Sequence, residues 1–94
     1  MVKLLQEIER AKDIKPEARD RLLALMKRQQ FRQGIPAGSG ASVADKVGFL
    51  GGVLNDAATV YHPRGTYHIA IMTNGQSWQK IAEITKKIEA LLYP

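Results

Sequence analysis

The stretch Lys46-Val47-Gly48-Phe49 contains residue types that could do chemistry. A period-two pattern over residues 43–50 predicts a strand that carries Lys46 and Gly48 on the same face. A glycine on a strand lets an extended ligand lie against the backbone, and the next amide can donate to an oxygen on which negative charge develops. Lys46 would supply positive charge for an anionic substrate and for proton handling. This stretch is therefore the candidate substrate-binding strand.

Ser77 and Lys80 match the SxxK pattern of enzymes that acylate a serine, in which the lysine takes the hydroxyl proton. Ser77, however, follows the strand-ending pair Asn74-Gly75 and precedes a segment with helical periodicity, as a helix N-cap does. A short motif is only a hypothesis without its structural context. We interpret Ser77 as a capping residue and not as a nucleophile.

The two histidines, His62 and His68, are six residues apart, one in a predicted turn and one in a predicted strand. No third ligand is evident, whereas a zinc site needs several convergent side chains. The chain has no cysteine, which excludes disulfides, thiolate metal sites and a cysteine nucleophile. The sequence predicts neither a metal site nor a cofactor.

Two aspartates, Asp45 and Asp56, lie in predicted strands. Lys46, Arg64 and His68 are their candidate partners. We expect a structural ion pair for Asp45. For Asp56 a structural role and a functional role both stay open.

The chain is basic, with 14 Lys and Arg against nine Asp and Glu and a formal net charge of +5. This charge raises the hypothesis that the protein binds nucleic acid. Lys27, Arg28 and Arg32 cluster at the end of a predicted helix, where they complement its dipole without the exposed aromatics of a nucleic-acid platform. We expect a solvated helix end and no nucleic-acid partner.

No apolar run is long enough to span a bilayer, so no membrane partner is expected, and the start is not a signal peptide.

The first 33 residues form the predicted helical portion. Apolar residues at helical spacing predict a first helix that ends near Asp13, and Pro16 with Glu17 opens a second helix. The glycine-rich and proline-containing stretch "RQQFRQGIPAGSGAS" is predicted to be a loop of irregular path.

Residues 41–94 are predicted to form a sheet and a terminal helix. Gly51-Gly52 and the segment 62–65 separate three runs of strand character, which favours an antiparallel meander. The terminal helix has an apolar stripe of Ile81, Ile84, Ile88, Leu91 and Leu92. The predicted fold is α+β, in the order ααβββα, as a single domain over 1–94 with the last helix packed on one face of a three-stranded sheet.

The order and amino-acid sequences of these segments resemble the C-terminal portion of the class A β-lactamase family of penicillin-recognising serine hydrolases. The resemblance lies in "PEARDRLLALMKRQQFRQGIPAG", "VADKVGFLGGVLNDAATVY", "YHIAIMTNG" and "IAEITKKIEALLY", and it covers nearly the whole chain. It implies the last helices of the family's helical lobe, its lysine-threonine/serine-glycine strand, two further strands and the terminal helix. The implied function of the complete fold is β-lactam hydrolysis.

The resemblance also implies site residues. Lys46 matches the family lysine that faces the active site, Gly48 keeps the strand accessible to substrate, and the backbone amide of Phe49 matches one donor of the oxyanion hole. Val47 departs from the family pattern, because a Thr or Ser there hydrogen-bonds the substrate carboxylate and a valine cannot. The implied partner is a β-lactam or cell-wall-like small molecule, with no cofactor, and family members usually act in the periplasm or after secretion.

The family's SxxK serine, SDN loop and catalytic glutamate precede this region and are not among the 94 residues. We therefore expect the isolated chain to be inactive. The family also places another strand beside the one matching "YHIAIMT", so we expect an exposed edge and a homodimer through residues 66–73, with a continuous six-stranded sheet. The alternative function is a non-catalytic module that binds a β-lactam-like ligand or self-associates through this edge.

Overall fold

The computed structural model of the chain describes residues 1–11 and 14–94. The elements, in order, are α1 (Val2–Arg10), α2 (Pro16–Lys27), α3 (Ile35–Gly38), β1 (Ser42–Leu50), β2 (Val53–His62), β3 (Gly65–Asn74) and α4 (Trp78–Leu92). The predicted α+β class with a three-stranded antiparallel sheet is confirmed. The short helix α3 is an addition to the predicted order.

The two N-terminal helices begin and end at residues of the expected types. Helix α1 ends at Arg10, and Ala11 closes it in the left-handed conformation with φ 54°. The predicted end near Asp13 lies outside the described residues. Pro16 occupies the first turn of α2, where its missing N–H has no helical acceptor to satisfy.

Helix α3 corrects the prediction that the stretch around it is only an irregular loop. It is a single turn packed on α4, and a Cβ on Gly38 would lie 2.1 Å from the carbonyl oxygen of Ala82. Gly38 therefore permits a close approach of the two helices that a side chain would prevent. From the sequence, this glycine is predicted only to interrupt regular structure.

The sheet has the order β1-β2-β3, with antiparallel pairing throughout. Gly51 and Gly52 make the first turn with φ of 56° and 87°, values that favour glycine. In the β1–β2 register Lys46 is opposite Ala57, and Val47 is opposite Asp56. Successive residues of a strand point to opposite faces, so Lys46 and Val47 lie on different sides of the sheet, each on the same face as the residue opposite it.

Helices cover both faces of the sheet, whereas the sequence predicted only a terminal helix on one face. The α4 face packs against α3 and α4 around a core of Ile35, Val43, Ala58, Val60, Ile69, Ile71 and Ile81. The opposite face, which carries Ala44 and Lys46, packs against α1 and α2. Residues 56–60 of the central strand are consequently buried on both sides and lose the simple alternation of an exposed sheet.

Helix α4 begins as predicted and ends more exposed than predicted. The N–H of Lys80 donates to Ser77 Oγ over 3.1 Å, so Ser77 is the N-cap. Ile81 is fully buried, but Leu91 and Leu92 are 82% and 50% exposed. Within the described residues, no helix has the length and apolarity to cross a membrane.

Candidate functional site

The candidate substrate-binding strand is an edge strand. Among the described residues, β1 pairs only with β2, so one of its edges has no neighbouring strand. Gly48 is exposed on this strand, and a Cβ built on it would meet no atom within 4 Å. The strand therefore offers open backbone that an extended ligand can approach.

Lys46 lies on the α1–α2 face, two residues before Gly48. Its side chain is exposed, and its Nζ donates a hydrogen bond to the carbonyl oxygen of Val47. The same lysine borders a cleft of about 240 Å³, formed by Met1, Leu4, Leu5, Ile8, Leu22, Met26, Lys46 and Ala57. The aliphatic part of Lys46 thus lines an apolar cleft beside the open strand, while its ammonium group is bonded to the strand backbone.

Val47 lies on the opposite face and is only 5% exposed. Its isopropyl group is buried and adds no hydrogen-bonding group to the strand. Phe49, on the same face, is 57% exposed. The four candidate residues are therefore together on one strand, with Lys46 and Gly48 on one face and Val47 and Phe49 on the other.

An aromatic cluster beside this strand was missed at the sequence level. The rings of Phe31 and Phe49 meet edge to face at a centroid distance of 5.6 Å, and those of Phe49 and Trp78 at 6.2 Å. Phe31 is 44% exposed. These three rings come from three separate segments, and they form an apolar surface next to the strand that no local motif signals.

Ser77 and Lys80 are not arranged as a nucleophile and its base. Ser77 Oγ accepts the backbone N–H of Lys80, and the Nζ of Lys80 lies 3.4 Å from Glu83 Oε2. The lysine amine is therefore engaged along the helix, and the interpretation of Ser77 as an N-cap is confirmed.

Arg32 is the ion-pair partner of Asp45, in place of the predicted candidates. Its Nη1 lies 3.5 Å from Asp45 Oδ1, and its Nη2 donates to the carbonyl oxygen of Val43 over 2.9 Å. Asp45 is completely buried. The expectation of a solvated helix end was wrong for Arg32, because the chain after α2 turns this guanidinium towards β1.

Asp56 is also buried, on the same face as Asp45. Its Oδ2 accepts the backbone N–H of Ile35 over 2.9 Å. Burial, followed by the hydrogen bond with Asp45, raises the pKa of Asp56 to about 8. The pKa of Asp45 is also raised, through burial, although the hydrogen bond with Asp56 and the charge of Arg32 oppose this shift.

The histidines do not form a metal site. His62 Nε2 lies 3.4 Å from Glu89 Oε1, and the His62 ring stacks on Tyr93 at 4.2 Å. His68 Nδ1 is 2.9 Å from Thr59 Oγ1, and burial lowers the pKa of His68. In residues 1–11 and 14–94 no group of three or more possible metal ligands comes together.

The far edge of the sheet is β3. Among the described residues it pairs only with β2. Its ten residues, GTYHIAIMTN, include no Lys, Arg, Asp, Glu or Pro, and Met72 is 72% exposed. Such a strand lacks the charges and prolines with which proteins commonly prevent edge pairing.

A model of the beta-lactamase enzyme family matches residues 1–93 of the chain. The structure of a protein named PBP-A is 28% identical over 97% of this chain and 37% of that one, with a TM-score of 0.83. A mutant of PBP-A, solved as an acyl-enzyme complex with penicillin G, matches with 28% identity, 97% and 38% coverage and a TM-score of 0.83.

A beta-lactamase from Sphaerobacter thermophilus is 26% identical over 94% of this chain and 37% of that one, with a TM-score of 0.82. The chain therefore spans about 37% of the length of the solved structures to which it is similar. No match to a curated protein was found.

Proposed function

Since the chain belongs to the beta-lactamase enzyme family, we propose that its β1 strand binds a β-lactam or a cell-wall-like small molecule in the active site of a serine hydrolase. The observation that carries this proposal is the likeness to PBP-A, a mutant of which was solved as an acyl-enzyme with penicillin G. The likeness covers 97% of this chain.

Lys46 is the proposed cationic residue of the site. Lys46 is exposed two positions before the open backbone at Gly48, and its Nζ donates to the carbonyl oxygen of Val47. In this proposal Lys46 attracts the ligand's negative charge and assists proton transfer at the nucleophile.

The backbone supplies the remaining contacts from this strand. Gly48 lets the ligand lie against β1, and the amide of Phe49 donates one of the two hydrogen bonds to the developing oxyanion. Val47 contributes no hydroxyl to the carboxylate of an ordinary β-lactam. The expected ligand preference therefore differs from that of relatives with a Thr or Ser at this position.

The nucleophile of the proposed reaction is not expected among these 94 residues. Ser77 is occupied as a helix cap, and the family's SxxK serine, SDN loop and catalytic glutamate have no counterpart in the sequence described here. We infer that these residues supply the binding strand, and that the serine comes from further polypeptide of the same fold or from another chain.

Mass spectrometry of the intact protein tests this division of roles. The 94-residue chain incubated with penicillin G should gain no mass. The same chain mixed with the complementary N-terminal part of PBP-A should support a penicillin adduct on the added part. An adduct on Ser77 would show that the chain has its own nucleophile, and no adduct in a mixture that has assembled would contradict the proposed role of β1.

A second candidate function is self-association through β3. It is favoured by the ten-residue edge without a charged residue or proline. Antiparallel pairing of two β3 strands across a two-fold axis would make a six-stranded sheet and satisfy the free backbone groups of both edges. Light scattering over a hundredfold range of concentration should detect a dimer, and a mass that stays monomeric throughout would exclude it.

A further inference from the structure

Two buried carboxyl groups lie next to each other under the candidate substrate-binding strand. Asp45 is on β1 and Asp56 is on β2, and both belong to the α4 face. They are diagonal neighbours, because Asp45 is opposite Ala58 and Asp56 is opposite Val47. Their exposed fractions are 0% and 1%, so water does not solvate either carboxyl group.

Each carboxyl group has one oxygen with a donor and one without. Oδ1 of Asp45 faces Arg32, and Oδ2 of Asp56 accepts from Ile35. The remaining oxygens, Asp45 Oδ2 and Asp56 Oδ1, are buried, and among the described residues they have no donor as long as both carboxyl groups are ionised. Two buried acceptors without a donor are costly, and a single proton between the two groups would satisfy both of them.

Within residues 1–11 and 14–94, one cation, Arg32, makes an ion pair with one of the two carboxyl groups on their own face. Arg32 lies within ion-pair distance of Asp45, and Lys46, whose charge also acts on Asp45, is on the other face of the sheet. On the side of α3 and α4, the N–H of Ile35 donates to Asp56, and a Cβ built on Gly34 would lie 2.7 Å from Asp56 Oδ2 and 3.4 Å from the side chains of Ile81 and Trp78. One positive charge matches a pair that carries one negative charge and one proton better than two full negative charges.

We propose that Asp45 and Asp56 hold one proton between them and act as a positioning pair for the backbone of Lys46, Val47 and Gly48. The pair connects this strand to two flanking segments. Asp45 is held by Arg32, and Gln29 donates to the Asp45 carbonyl oxygen over 2.6 Å, while Asp56 holds the start of α3. Loss of the shared proton leaves two adjacent negative charges. Their repulsion shifts the backbone of β1 at Lys46, Val47 and Gly48.

The positioning role towards a ligand rests on the proposed function of β1, whereas the shared proton does not. The raised pKa of Asp56, about 8, puts the loss of the proton in a range that solution measurements can reach. A titration of the free protein therefore tests the pair without any ligand. Failure of this titration would leave the proposed β-lactam site untouched.

The experiment is a ¹³C NMR titration of the aspartate carboxyl carbons and of the backbone carbons of Lys46, Val47 and Gly48, between about pH 5 and pH 10. One of the two carboxyl groups should stay protonated at pH 6. When it loses its proton at higher pH, the chemical shifts of the backbone carbons of Lys46 and Gly48 should change with the same midpoint. Titration of both carboxyl groups below about pH 5 would overturn the shared proton. A transition that leaves residues 46–48 unmoved would overturn the positioning role.

Asp56→Asn is the matching variant, because its amide can donate to Asp45 in place of the shared proton. The transition at residues 46–48 should then disappear. Asp20→Asn is the control, since Asp20 pairs with Arg19 on the surface and its loss should leave the transition unchanged. Asp45→Asn gives the same test from the other side if the first variant fails to fold.

Discussion

The backbone N–H of Ile35 donates a 2.9 Å hydrogen bond to Oδ2 of Asp56, a residue 21 positions further along the chain. This bond fixes the first turn of α3 against the central strand. It also explains why Gly34 precedes the helix, since a Cβ there would lie 2.7 Å from the same carboxylate oxygen.

Gly34→Ala should destabilise the fold by about 2 kcal/mol, because its methyl group would push a buried carboxylate away from Ile35. Chemical denaturation monitored by the fluorescence of Trp78 would measure the loss. Gly40→Ala is the matched control, because a Cβ at Gly40 meets nothing within 4 Å and its φ needs no glycine. Equal midpoints for the two variants would contradict the close contact at Gly34.

The stability contributed by Asp56 should fall as the pH rises. Its folded pKa of about 8 lies above its ordinary value of 3.8, so the folded state keeps a proton that the unfolded state has released. This contribution is complete below about pH 4 and is lost towards about pH 8. Between these values the free energy of unfolding should fall by up to about 1.4 kcal/mol per pH unit.

Urea unfolding of the wild type and of Asp56→Asn at several pH values would measure this contribution. The difference between their unfolding free energies should shrink steadily across the window. Asp20→Asn should run parallel to the wild type, because its carboxylate is exposed on the surface. A constant difference between wild type and Asp56→Asn would contradict the raised pKa.

Lys46→Ala should slow penicillin acylation by about 10²- to 10³-fold in a complex with the complementary part of PBP-A, because it removes the proposed charge from the site. Time-resolved mass spectrometry of the adduct would give the rate. Lys86→Ala is the control, since Lys86 is an exposed lysine on α4. If both variants acylate at the wild-type rate, Lys46 has no part in the reaction.

Met72→Lys should weaken self-association by about tenfold or more, equivalent to about 1.4 kcal/mol, because it places a charge from each copy at the β3 edge. Sedimentation velocity over a dilution series would follow the dimer. Leu91→Lys makes the same chemical change at an exposed position of α4, away from the edge, and should have no effect. A similar weakening by both variants would indicate association through general hydrophobicity and not through β3.

The sequence by itself determined the elements other than the one-turn helix α3, and their order. The three strands, their glycine turns, Pro16 at the start of α2 and Ser77 as the cap of α4 follow from patterns that span a few residues, because helix and strand hydrogen bonding and φ preferences are local. The resemblance to the β-lactamase family also depends only on the order and wording of the segments, and the family match confirms it.

Only the tertiary structure decided the partners of the buried polar groups and the environment of β1. Arg32 reaches Asp45 across 13 residues and Ile35 reaches Asp56 across 21, and the rings of Phe31, Phe49 and Trp78 meet from three segments. Such contacts depend on strand register and on how helices pack over both faces of the sheet. A local sequence pattern specifies neither the register nor the helix packing. The buried acid pair and its arginine can therefore be identified only from the folded structure.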